Sequence, residues 1–247
     1  MDEFSPDSVV RPGPEAGLGF ASWMREIVEA ARATFATPHY PDGLPRGNGE
    51  TVLLIPGFLA GDWTMHSLRD FLRHLDYRAE FAGVMLNLGP TNGFLPYLEH
   101  AVERLHGEAA EPIVVIGQSL GGAFARALAH RHAEKIAHVV TLASPIRFPV
   151  ATPLDAVIKL LAPLHGPDAL SLREEIERMP PVPVTALYSK EDGIIDWRCC
   201  LQEESGGCRN IEVSGAHSAM GFNPEAQAVI AQTLAEIREK RSKESKA

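Results

Sequence analysis

Two short stretches of this chain, TVLLIPG at 51–57 and PIVVIGQ at 112–118, are apolar without alternation. A strand with one wet face alternates apolar and polar residues, so an unbroken apolar run ending in Gly marks a strand buried on both faces. Such a strand needs cover on each side. Segments 62–75, 94–107, 120–132 and 224–240 carry helical spacing and alternate with strand-like runs at 78–87, 137–144, 182–189 and 210–215. That alternation implies an α/β fold, a parallel sheet with helices on both faces. Asp62 is placed to cap the first of these helices, and Asn223 the last, with Pro224 at its first position.

The regular alternation occupies residues 51–240, read as a single domain. Ahead of it, 1–50 comprises a loose tail at 1–17, a helix at 18–35 and a loop rich in Pro and Gly at 38–50. The helix places Phe20, Met24, Ile27, Val28 and Ala31 on one apolar face, expected to pack on the core. Between strands 137–144 and 182–189 lies a long excursion, 145–181, with two short amphipathic stretches at 153–164 and 168–179. A connection this long reads as a helical cap over a site. Residues 241–247 form a charged tail.

Composition narrows the function classes. The net charge of −9 argues against nucleic acid or an anionic membrane as the main partner. No apolar run is long enough for a membrane helix, and the acidic, Pro-rich start lacks the pattern of a secretory signal, so a cytoplasmic protein is expected. Cys199, Cys200 and Cys208 are read as free thiols; a Cys200–Cys208 bridge would need an oxidising compartment. With no histidine among them they make a poor zinc site, and no metal is expected.

The segment VVIGQSLGG, 114–122, sets Ser119 between a buried strand and an alanine-rich helix. Side chains two positions either side of a sharp strand-to-helix reversal would strike its backbone; Gly117 and Gly121 remove them, and Gly122 allows close helix packing. A serine held there, at a helix N-terminus that favours negative charge, is a candidate nucleophile. Its hydroxyl needs a base and the base an orienting acid, in the chain order Ser, acid, His. His165 and His217 follow the next strand; His217, in the loop after the last strand, lies at the sheet edge where Ser119 should emerge. For the acid, ALYSKEDGIIDW offers Asp192, just past a strand end, ahead of Asp196 and then Glu191.

Four motifs in order, PGFLAGD after the first strand, GQSLGG, SKEDGIID and SGAHSAMGFNP, resemble the α/β-hydrolase superfamily on its esterase and lipase side. The resemblance covers roughly residues 51–240. It implies an oxyanion hole built from the N–H groups of Leu120 and of Phe58, with Leu59 as the alternative. Where the family often has His-Gly, this chain has Pro56-Gly57. The first strand matches the family's usual third, so a reduced, mostly parallel sheet of about six strands is expected.

The implied activity is hydrolysis of carboxylic esters with short to medium acyl chains, without metal or organic cofactor. Serine rather than aspartate at the elbow excludes dehalogenation and epoxide opening. A triacylglycerol lipase, a polyester-degrading esterase, a thioesterase or lactonase, and a non-catalytic binding module stay open as alternatives. The expected substrate is a small-molecule or polymeric ester, with Leu59, Trp63, Met65, Phe148 and Met220 as candidate contacts.

Overall fold

A computed structural model describes residues 24–26, 28–29, 40, 42–167 and 169–244. Six strands form one all-parallel sheet in the order β2-β1-β3-β4-β5-β6. They are β1 (Thr51–Ile55), β2 (Arg78–Phe81), β3 (Ile113–Gln118), β4 (Ile136–Leu142), β5 (Val184–Tyr188) and β6 (Arg209–Glu212). Around the sheet lie α1 (His66–His74), α2 (Phe94–Ala109), α3 (Leu120–Arg131), α4 (Asp155–Leu161), α5 (Ala169–Glu177) and α6 (Pro224–Glu244).

The apolar run of β1 divides between two cores. Leu53 and Ile55 join Leu98 and Val102 of α2 and Phe124 and Leu128 of α3. Val52 and Leu54 point the other way, onto Leu68 and Phe71 of α1 and Ile230 and Leu234 of α6. Alternate residues of one strand therefore fill opposite layers, which is why the run carries no polar position. Burying each such side chain contributes roughly 1.5–3 kcal/mol.

Several elements end earlier or later than their periodicity suggests. β2 stops at Phe81 instead of reaching 87. Beyond it Gly83 turns with φ of 89°, and the backbone braces the loop after β1: Asp62 N–H donates to Val84 O, and Leu59 N–H to Asn87 O. The helix expected at 62–75 begins as a 3-10 turn, Asp62–Met65, before α1. Gly61 stands at its cap and Asp62 makes no capping hydrogen bond; burial pushes the Asp62 carboxyl up. Asn223 does cap α6, accepting from Glu225 N–H at 2.8 Å. That helix continues to Glu244 because Arg241 is anchored on Pro112 O and the Glu111 carboxylate.

In the excursion after β4, α4 is followed by a 3-10 turn, Ala162–Leu164, and then α5. α5 is tied to α3 by the buried Arg126, whose guanidinium donates to Ile176 O, Arg178 O and Gln202 Oε1. Near the N-terminus, residues 24–26 and 28–29 are helical. Of the expected apolar face, Met24 and Val28 are 40% and 43% exposed, whereas Glu26 is 3% exposed. Phe20, Ile27 and Ala31 lie outside the described residues. Among the described residues no helix is long and apolar enough to cross a membrane.

Candidate active site

β1 and β3 are neighbours in the sheet, so the loops leaving their C-terminal ends meet. Ser119 follows β3 directly, with φ 52° and ψ −127°. A non-glycine residue in that region carries about 1–3 kcal/mol of strain and persists only where the surroundings impose it. Here they do. A Cβ on Gly117 would stand 2.3 Å from the Gly121 backbone, and one on Gly121 would stand 2.3 Å from Ile55 O. Ser119 N–H is itself held by Leu142 O at 2.7 Å.

The loop after β5 supplies Asp192, and the loop after β6 supplies His217, both buried. His217 Nδ1 lies 2.7 Å from Asp192 Oδ2. Asp192 Oδ1 accepts the N–H groups of Ile194 and Ile195, each at 2.8 Å, so the carboxylate is fixed before it meets the imidazole. The other two acids are engaged elsewhere. Asp196 caps the 3-10 turn Trp197–Cys200 through Arg198 N–H. Glu191 accepts from Gly215 N–H and pairs with Arg25 at 3.7 Å. His165 lies within the cap itself, bridged to Thr91, with its Nε2 facing Gly89.

Burial alone would push the His217 imidazole down. Asp192, by charge and hydrogen bond, and Glu26, by charge, outweigh it and hold the group above its ordinary value of 6.5. Glu26 is a residue that pattern reading misses, since a glutamate on a helix looks like part of a solvated face. Its Oε1 accepts from Gly193 N–H at 2.9 Å and His217 N–H at 2.7 Å, and its Oε2 from Ser218 N–H at 2.7 Å. Burial raises the Glu26 carboxyl, but these three backbone donors bring it below its ordinary value. Gln118, inside the recognised motif, holds His217 from the other side, donating to its carbonyl at 3.1 Å.

Two cavities meet at Ser119. The larger, about 550 Å³, is lined by Phe58, Leu59, Trp63, Ser119, His217 and Phe222, among others. The smaller, about 240 Å³, runs under the cap between Leu120, Phe148, Ile158, Leu172 and Ile176. Phe58, Ser119, Leu154 and Ile194 belong to both. Leu59, Trp63 and Phe148 thus line cavity walls. Met65 and Met220 do not: both are fully buried among Leu68, Phe71 and Ile230, so the expectation that they touch substrate is corrected. Both methionines serve the core, and Phe222, two residues beyond Met220, reaches the cavity instead.

Among the described residues, neither Phe58 N–H nor Leu120 N–H is committed to another protein group, whereas Leu59 N–H is occupied by Asn87 O. No cluster of three or more His, Cys, Asp or Glu among them is arranged to hold a metal ion. Cys199, Cys200 and Cys208 are free and buried.

The sequence profile of the Alpha/beta hydrolase family matches residues 52–235. The chain belongs to the alpha/beta hydrolase family. Solved structures agree at the level of fold. Aspergillus fumigatus lipase B superposes with a TM-score of 0.59 at 16% identity, over 80% of this chain and 55% of that one. This chain therefore spans just over half the length of that lipase. A structure from LipS and LipT, two metagenome-derived lipolytic enzymes, gives 0.56 at 17% identity, over 81% and 100% of the two chains. The monoacylglycerol lipase of Paleococcus ferrophilus gives 0.55 at 17%, over 77% and 95%. No curated protein sequence matches the chain. This alpha/beta hydrolase thus shares its fold with these enzymes, and a shared fold does not fix its chemistry.

Proposed function

We propose that this alpha/beta hydrolase is a serine hydrolase that cleaves carboxylic esters of short to medium acyl chain through an acyl-enzyme. The observation that carries the reading is the convergence of a strained Ser119 and a His217 already bonded to Asp192 on one cavity. His217 takes the Ser119 proton as the hydroxyl oxygen attacks the ester carbonyl, and Asp192 holds the ring and stabilises the imidazolium. The N–H groups of Phe58 and Leu120 receive the oxyanion, each worth about 10²–10³ in rate. His217 then protonates the departing alkoxide. Water, deprotonated by His217, attacks the acyl-enzyme carbonyl, and the returning proton frees Ser119 with the carboxylic acid.

The two cavities sort the halves of the substrate. The leaving oxygen must face its proton donor, and His217 lines the larger cavity but not the smaller. The alcohol half therefore occupies the larger space, which opens beside the exposed Trp63, and the acyl chain enters the smaller apolar one under the cap. Leu172 and Ile176 are among the apolar residues that line that space. A second reading, hydrolysis of aggregated triacylglycerol, draws support from the exposed Leu160, Leu164 and Leu170 on the cap.

Initial rates on p-nitrophenyl esters of increasing acyl length, with wild type and Ser119→Ala, test the proposal. A maximum at short or medium chains that vanishes in the variant is expected. A preference for triolein emulsion over the soluble esters would favour the lipase reading, and no Ser119-dependent turnover on any of them would overturn both.

A further inference from the structure

The N-terminal helical segment reaches the acid loop and the histidine loop together. Arg25 pairs with Glu191 beside Asp192, and Glu191 in turn accepts from Gly215 N–H beside His217. Next to this exposed contact the Glu26 carboxylate bonds Gly193, His217 and Ser218, one residue on from Asp192 and at the histidine itself. A carboxylate removed from water is costly unless its oxygens are filled, and these three charge-assisted bonds fill them. Elsewhere the same loops are held by neutral groups, Ser189 Oγ–H to Gly215 O and Gln118 to His217 O, and by the exposed Glu191 carboxylate; of the two glutamates Glu26 is the buried one.

We propose that Glu26 is a positioning residue for the base: its carboxylate joins the Asp192 loop to the His217 loop and fixes where the imidazole stands relative to Ser119. The inference rests on the serine-hydrolase reading. Among the described residues, the charged groups acting on His217 are Asp192, from the loop after β5, and Glu26, from the N-terminal segment. Both are negative, so both favour the imidazolium. A purely mechanical brace would not need the second charge. Removing it lowers the His217 titration point, and the acid limb of kcat/KM follows to lower pH.

The test compares wild type, Glu26→Gln and Glu26→Asp in the full chain. Kinetics run on a p-nitrophenyl ester from pH 5 to 9, and NMR follows the His217 ring. Glu26→Gln keeps the shape but not the charge. It is expected to lose about tenfold or more in kcat with KM little changed, and its His217 titration point should fall. Glu26→Asp keeps the charge with a shorter reach, so it should hold the wild-type acid limb and recover part of kcat. A lower melting temperature in both variants, with kcat and the His217 titration unchanged, would overturn the proposal and leave Glu26 a brace. Should wild type neither hydrolyse esters nor label at Ser119 with a fluorophosphonate, the hydrolase reading fails. The NMR titration then still decides whether Glu26 acts on His217.

Discussion

Asp192 divides its two oxygens between unlike tasks: Oδ1 accepts the N–H groups of Ile194 and Ile195, and Oδ2 meets His217 Nδ1. An asparagine has only one oxygen to offer. Kept on the loop amides, it turns its NH₂ towards His217 and forces the other tautomer, so Asp192→Asn should lower kcat by about 10⁴. Asp196→Asn should leave kcat within a few-fold and stability little changed, because an asparagine oxygen can still accept from Arg198 N–H at the turn Asp196 caps. Steady-state kinetics and melting curves of the two variants check this; the reverse pattern would move the acid to Asp196. At this scale the strand-end placement of Ser119, Asp192 and His217 was legible, because each sits in a short motif. Glu26 was not. Its partners are backbone N–H groups far away in sequence, and amides leave no mark in a pattern of side chains. Met65 and Met220 show the opposite failure, since an apolar residue beside a motif reads alike whether it faces a cavity or the core.

At the level of elements, the cap depends on a cation in an apolar place. Arg126 is buried on α3 and spans the end of α5 through Ile176 O and Arg178 O, carbonyls that the helix itself leaves without donors. Burial lowers its guanidinium to about 10, with no carboxylate hydrogen-bonded to it among the described residues. Arg126→Met removes the charge together with all its donors and leaves acceptors unpaired. It should destabilise the protein by about 3 kcal/mol and weaken the preference for longer acyl chains, as the wall at Ile176 loosens; urea melts and a chain-length profile measure the two effects. Element order and type followed from periodicity, apart from the 3-10 turn after α4 and the departures after β1 and β2. There the chain leaves its regular pattern so that residues 84–87 can brace the loop carrying Phe58. Periodicity cannot register such a departure, because the bracing bonds join backbone to backbone.

Across the molecule as a whole, acid sensitivity has a source remote from the site. His138 on β4 is buried against Thr185 Oγ1, and burial, then the Arg209 and Lys240 charges, lower its imidazole to about 4. The unfolded chain takes up this proton near pH 6.5, well before the native protein does. Stability present above 6.5 is therefore lost as pH falls towards 4, by up to about 1.4 kcal/mol per pH unit. His138→Gln should flatten the fall in urea midpoint between pH 7 and 5; an unchanged slope would place the sensitivity in other groups. The sheet order carries a different consequence, one of timing. β3 and its serine lie at the middle of the sheet, whereas Asp192 and His217 follow β5 and β6, the last strands in the chain. On the proposed mechanism the nucleophile is therefore complete, during synthesis, long before its base exists. An emerging chain would carry an inert alcohol, with reactivity switched on only when the last strand docks.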